Sequence, residues 1–285
     1  MPRAVIAQAH EQRSNAHIEL EYELLTPAGS TQNTSTILLI RGLGTQMIEW
    51  PDEFLQGLMS RGLQVLIFDN RDVGLSSKCE DDYTLSDMAA DVVGLLDVLD
   101  IQQAHVFGIS LGGMVAQLIG VEHATRVLSL FSVMSGSGNP DVPTVSADML
   151  PYLSERADDR ASSIELTVRN KALFGSPGYP EDEVVRRAQA EAAYDRCYCP
   201  QGVARQMRAA TADGSRVERL NGIRLPTMVI HGEDDALVSI AAGEDTARSI
   251  PNAEMVRVPG MGHNIPAALA PHIVDLVDDF IRRRT

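Results

Sequence analysis

Short runs of apolar residues recur along the chain, separated by longer stretches in which apolar positions return every three or four residues. The runs predict strands at Ile18 to Leu25, Thr36 to Ile40, Gln64 to Phe68, Ala104 to Ile109, Val127 to Val133, Thr227 to Ile230 and Ala253 to Val258. Most of the later runs are unbroken, as in strands covered on both faces. Helices are predicted between them. Pro51 to Arg61 opens with Pro and acids and stops before Gly62. Thr84-Leu85-Ser86-Asp87 has the form of a capped helix start, and Leu85, Met88, Ala89, Val92, Leu95, Leu96 and Leu99 then make an apolar stripe. Met114 to Glu122 continues the series. The last helix aligns Leu269, Ile273, Leu276, Val277 and Phe280, and it ends in Arg282, Arg283 and Arg284 at its negative pole. Strand and helix in alternation predict an α/β fold: a mainly parallel sheet with helices on both faces.

The rhythm breaks after Ser135, where Gly136-Ser137-Gly138-Asn139-Pro140 opens a region without a convincing strand. Pro180 to Tyr194 within it starts with Pro and acids and runs helical through Val184, Val185, Ala188 and Ala192. The expected division is a core of residues 1–134 and 222–285 with a helical cap at 135–221. A cap inserted between two strands would lie over the carboxyl edge of the sheet, wall in a substrate and decide specificity.

Composition narrows the function classes. At 285 residues, 44% hydrophobic and 22% charged, the chain can bury a sizeable core. The net charge of −15 speaks against nucleic-acid or anionic-membrane partners, which would repel it. Met1 to Gln12 has no apolar signal region and no stretch is long enough to span a bilayer, so a cytoplasmic protein is expected. Cys79, Cys197 and Cys199 are too few and odd in number for a disulfide framework. No His or acid stands at ligand spacing from the Cys197-Tyr198-Cys199 pair, so no metal is expected.

The chemistry concentrates at three predicted strand ends. Gly108-Ile109-Ser110-Leu111-Gly112 places Ser110 on a tight strand-to-helix turn that lifts its hydroxyl out of the sheet. A serine needs a base, and the base needs an acid to hold its tautomer. His231-Gly232-Glu233-Asp234-Asp235 and Pro259-Gly260-Met261-Gly262-His263 supply both after later strands. His263 is the candidate base, its loop freed by Gly260 and Gly262 to aim the ring at Ser110. Asp234 and Asp235 both remain open as the acid on the residues alone. Asp141, near the end of the preceding strand, stands too far from it.

These motifs resemble those of the α/β-hydrolase family over nearly the whole chain. Ile40-Arg41-Gly42-Leu43-Gly44 is similar to the family's His-Gly-x-Gly turn, with Arg41 in place of His. Asp69-Asn70-Arg71-Asp72-Val73-Gly74-Leu75-Ser76 is similar to its D-x-R-G-x-G-x-S turn, with Asp72 in place of Gly. Within the family, Trp50-Pro51-Asp52-Glu53-Phe54 and the Arg71-Asp72 variant look most like the aclacinomycin methylesterase group, which cleaves a methyl ester on a polyketide. The resemblance implies the triad Ser110, Asp235 and His263, with Asp235 at the family's G-x-x-D spacing. It also implies an oxyanion hole built from the Leu43 and Leu111 N–H groups.

The expected activity is that of a serine hydrolase of carboxylic esters acting through an acyl-enzyme, on a small-molecule substrate and without a cofactor. Hydrolysis of a C–C bond, lactone or thioester, and perhydrolysis, use similar residues and stay open, as does a slow-turnover ligand receptor. Oligomeric state is left open. A nucleotide-dependent oxidoreductase is disfavoured because Gly42-Leu43-Gly44-Thr45-Gln46-Met47 lacks the third glycine of a phosphate cradle. Candidate substrate-binding residues are Arg41, Gly42 and Trp50. Arg41 either pairs with an acid such as Glu49 or presents a fixed positive charge to the substrate. Gly42-Leu43-Gly44 is alternatively a plain tight turn, and Trp50 is alternatively packing. Asp69 and Arg71 are expected to hold their turn by a local ion pair.

Overall fold

All five residues of the Thr36–Ile40 strand are buried, and alternate ones face opposite layers. Ile37 and Leu39 join one apolar cluster, Leu38 and Ile40 the other, as a strand covered on both faces requires. The structure, a computed structural model, describes residues 2–7, 17–31, 34–142, 144–145 and 148–284. Of the Met1 to Gln12 stretch, residues 1 and 8–12 lie outside these.

Among the described residues the first half of the chain forms β1 (Arg3–Ala7), β2 (His17–Leu25), β3 (Thr36–Ile40), α1 (Asp52–Ser60), β4 (Gln64–Phe68), α2 (Leu85–Val98), β5 (Ala104–Ile109), α3 (Leu111–Glu122) and β6 (Val127–Val133). Five helices follow: α4 (Leu150–Ser154), α5 (Arg160–Leu173), α6 (Glu183–Arg196), α7 (Pro200–Asp213) and α8 (Val217–Leu220). The chain then returns through β7 (Thr227–Gly232), α9 (Ile240–Ser249), β8 (Glu254–Val258) and α10 (Ala270–Arg284). The sheet runs β1-β2-β4-β3-β5-β6-β7-β8, antiparallel at β1–β2 and β2–β4 and parallel elsewhere.

One face of the sheet is covered by α1 and α10, whose Phe54, Leu58, Ile273, Val277 and Phe280 are fully buried. The other is covered by α2 and α3, with Leu85, Val92, Leu95, Val115 and Ile119 inward. The start of α2 is a reciprocal cap: the Asp87 N–H donates to Thr84 Oγ1 at 3.1 Å and the Thr84 N–H to Asp87 Oδ2 at 2.8 Å. Among the described residues no helix is long and apolar enough to cross a membrane.

The sequence pattern misses β1 and α9. Among the described side chains of β1, Ala4 and Ile6 turn inward, too few to display a period. The buried positions of α9 are Ala242, Gly243, Asp245 and Thr246, small or polar residues that make no apolar stripe.

The expected ion pair between Asp69 and Arg71 does not form. Arg71, 1% exposed, instead grips Asp91 of α2 through Nε at 2.6 Å and Nη2 at 2.7 Å. Asp69 instead accepts from Arg196 Nη1 at 2.6 Å and from the N–H groups of Met47 and Leu75. A local pair would have left the buried Asp91 carboxylate without its cation, at a cost of several kcal/mol.

His105 on β5 is 2% exposed, with Nδ1 2.8 Å from Ser129 Oγ and no partner at Nε2. Burial pulls its pKa from the usual 6.5 to about 4. The folded protein keeps this ring neutral where the unfolded chain takes up a proton. Stability should therefore hold above about pH 6.5 and fall as the pH drops from there towards about 4, by up to ~3 kcal/mol. Urea unfolding from pH 7 to pH 5 should show a shallower decline for His105→Gln than for the wild type; parallel declines would refute the assignment.

Candidate active site

Ser110 sits between β5 and α3 at φ 54° and ψ −122°, a backbone conformation that is costly for a non-glycine residue. The turn is tight because helix and sheet nearly touch. A Cβ at Gly108 would lie 2.1 Å from the Gly112 carbonyl oxygen, and one at Gly112 would lie 2.3 Å from that of Ile40. Two hydrogen bonds tie the turn to the end of β6: the Ser110 N–H donates to Val133 O at 2.9 Å and Ser135 Oγ to Ser110 O at 2.8 Å.

The loops after β7 and β8 converge on this serine. His263 Nε2 is 3.0 Å from Ser110 Oγ, and His263 Nδ1 is 2.7 Å from Asp235 Oδ2. Asp234 makes a different contact, accepting from the Gly260 N–H at 2.9 Å. The Asp235 carboxylate is fully buried, and its Oδ1 accepts from the N–H groups of Leu237 and Val238 at 2.9 Å each. Burial pushes its pKa up, but His263 beside it, the hydrogen bonds from His231 and His263 and the Val238 N–H outweigh this and hold it well below the usual carboxylate range. The anionic form of Asp235 is thus favoured beside the imidazole. His231, expected only as a neighbour of the acid loop, sends Nε2 to Val238 O at 2.9 Å and stands 3.5 Å from Asp235 Oδ2.

Gly260 adopts φ 74°, the conformational freedom expected of it, and both glycines also make room for a close approach. A Cβ at Gly262 would lie 2.2 Å from the Gly175 carbonyl oxygen, and one at Gly260 would lie 2.9 Å from Gly178 Cα. They let the segment after α5 pack onto the histidine loop, where the His263 N–H donates to Phe174 O at 2.7 Å and the Gly262 N–H to Ser176 Oγ at 2.9 Å. The histidine is held by this packing.

The turn after β3 approaches the serine closely enough that a Cβ on Gly42 would stand 3.2 Å from Ser110 Cβ and 3.7 Å from its Oγ. Among the described residues, the N–H groups of Leu43 and Leu111 donate to no oxygen. Leu111 opens α3, where helix geometry leaves the first N–H groups unpaired and the dipole favours negative charge.

A cavity of about 480 Å³ opens over these groups, within the range of small-molecule sites. Arg41, Gly42, Leu43, Ser110, Leu111 and His263 line it, together with Tyr152, Leu166, Phe174, Tyr194, Val203 and Met207 from the region between β6 and β7. Trp50 is not among the lining residues. It is 3% exposed and packs on Phe54 and Phe107 at ring separations of 5.5 and 6.1 Å, which is the packing alternative.

Several residues that build the site were not legible in the sequence. Gln206 of α7 is fully buried, accepts from the Gly44 N–H at 2.9 Å and donates to Arg71 O at 3.1 Å. Gln46 donates to Ala193 O at 2.6 Å and Cys197 O at 3.0 Å. Asp72, at φ 69° in the place of a glycine, receives both Arg205 Nε and Nη2 at 2.8 and 2.9 Å. A buried glutamine or arginine on a helix has the spacing of a surface one, so no motif marks it.

A family model described as alpha/beta hydrolase fold matches residues 35–267. The chain is 28% identical over 257 residues to rhodomycin D methylesterase DnrP of Streptomyces peucetius, covering 82% of this chain and 86% of that protein. It is 29% identical over 242 residues to the putative carbamate hydrolase RutD of Caulobacter sp. (strain K31), again covering 82% and 86%. Among solved structures, the enol-lactonase from Burkholderia xenovorans LB400 superposes with a TM-score of 0.80 at 24% identity, over 99% of this chain and 100% of that one.

Asp235 contacts His263 and Asp234 contacts Gly260, so Asp235 is the group expected to affect the reactivity of Ser110. With an organophosphorus fluoride as probe and intact-mass detection, Asp235→Asn should slow labelling of Ser110 by about 10³- to 10⁴-fold. Asp234→Asn should slow it by less than about tenfold. The reverse order would transfer the role to Asp234.

Proposed function

The chain belongs to the alpha/beta hydrolase fold family, and from that premise we propose that it is a serine hydrolase of carboxylic esters working through an acyl-enzyme. The observation that carries the reading is the unbroken hydrogen-bonded line from Asp235 through His263 to Ser110, with contacts of 2.7 and 3.0 Å. Ester cleavage rather than another reaction is supported by the methylesterase relative.

In this reading Ser110 Oγ attacks the ester carbonyl while His263 Nε2 takes its proton. The imidazolium that forms is stabilised by the Asp235 anion, which also holds Nδ1 protonated and the ring in place. The oxyanion is received by the Leu43 and Leu111 N–H groups, whose hydrogen-bonding capacity is otherwise unspent. His263 then returns the proton to the departing alcohol, leaving the acyl group on Ser110. Water attacks this ester with His263 again as base, and the acid is released as Ser110 regains its proton.

Residues 135–221 serve as the cap in this proposal and set which acyl and alcohol groups fit. That role is supported by the residues of α5, α6 and α7 that line the cavity. The carbamate hydrolase relative supports a second reading, in which the same groups open a carbamate.

A chromogenic ester mixed rapidly with enzyme should give a burst of alcohol close to one equivalent per active site, followed by slower steady turnover. Ser110→Ala should abolish the burst and lower turnover by at least about 10³-fold. Full turnover in that variant would reject the mechanism.

A further inference from the structure

Arg41 brings to the cavity lining a cation whose Nε–H has no acceptor among the described residues. Its guanidinium lies over the face of Trp50, 4.7 Å from the ring centroid. Trp50 is wedged against Phe54 and Phe107, so the platform beneath the cation is rigid. Among the described residues Arg41 forms no ion pair, and its buried Nε–H has no acceptor. Burial lowers its pKa from the ordinary value, against the opposing charges of Glu49 and Glu181. A buried charged donor without an acceptor is costly, and a ligand oxygen would relieve that cost.

The acids nearest to it are already engaged. Glu49 is held by Lys171 Nζ at 3.1 Å and by the Gln46 N–H at 2.7 Å. Glu181 accepts from Asn264 Nδ2 at 2.8 Å. The alternative pairing of Arg41 with Glu49 therefore does not form, and Arg41 lines the same cavity as Ser110. The chain also holds Arg41 near the serine at the backbone level, since Asn70 Nδ2 donates to Arg41 O at 3.3 Å and Gly42 abuts Ser110.

We propose that Arg41 is a specificity-determining residue that binds a carboxylate carried by the substrate, so that the preferred substrates are esters bearing a second, free carboxylate. The planar fork of a guanidinium suits the two oxygens of a carboxylate better than a single hydroxyl or carbonyl oxygen. The inference rests on the ester-hydrolase reading and names the substrate class for that site.

The test compares monomethyl half-esters of four- to eight-carbon dicarboxylic acids with the matching dimethyl esters. For at least one chain length the wild type should favour the half-ester, and Arg41→Met should lower the half-ester to diester ratio of kcat/KM by about 10- to 100-fold. Arg41→Lys, which keeps the charge and loses the fork, should recover part of it. A ratio that changes by less than about threefold in Arg41→Met, or no half-ester preference at any length, overturns the proposal. Calorimetry on Ser110→Ala separates the two claims, because it reads binding without turnover. Half-ester binding that is selective and abolished by adding Arg41→Met sustains the carboxylate site even if the wild type hydrolyses neither ester, a result that would sink only the hydrolase reading. Circular dichroism and urea midpoints matching the wild type verify that both Arg41 variants are folded.

Discussion

The site depends on how closely α3 can approach the carboxyl ends of β3 and β5. That approach is permitted only by the missing side chains at positions 108 and 112, where any Cβ would collide with backbone oxygens. Because helix and sheet meet there, Ser110 is forced to positive φ, its hydroxyl leaves the sheet, and Leu111 opens α3 with an N–H that no helix bond takes up. The Gly42 turn then falls within van der Waals reach of the same serine. One steric constraint thus sets the strain of the serine, one free donor and the nearness of the second.

A second layer of order comes from buried polar groups that tie the helices between β6 and β7 to the core. Arg196 meets Asp69, Arg205 meets Asp72, and Gln206 joins the Gly44 N–H to the Arg71 carbonyl. Charges this deeply buried are costly to separate, so each pair specifies one docking position more than it adds stability. On the opposite side, the segment after α5 fixes the His263 backbone through Phe174 and Ser176. The helices that line the cavity and the loop that carries His263 are therefore parts of one packed unit. The two departures from the family's turns fit this picture. Asp72 takes a glycine conformation and gains an arginine from α7, while Arg41 takes the place of a histidine and lies on an aromatic face.

The parallel strands could be read directly, because strands buried on both faces need unbroken apolar runs; Thr36–Ile40, Gln64–Phe68, Ala104–Ile109 and Val127–Val133 have the bounds their composition suggests. The Ser110 turn and the Asp235 and His263 loops were equally legible, since glycine and loop chemistry leave local signatures. The short edge strand β1 and the helix α9 were hidden, the one too brief for a period and the other buried through small and polar residues. Trp50 was ambiguous for a different reason. An aromatic beside a predicted loop can face either a cavity or the core, and only its stacking on Phe54 and Phe107 decides.

By itself the sequence determined what depends on neighbours along the chain: the alternation of strand and helix, the strained serine turn, and the order in which Ser110, Asp235 and His263 arrive at strand ends. Local sterics and hydrophobic period are sufficient for these, because both act within a few residues. Tertiary structure alone decided which charge meets which. Asp69 and Arg71, two residues apart, turn to Arg196 and Asp91 instead of to each other, and among the described residues Arg41 forms no ion pair. Burial makes every unpaired charge expensive, so partners are chosen by what the folded chain brings within a few ångströms, a distance that separation in sequence does not encode.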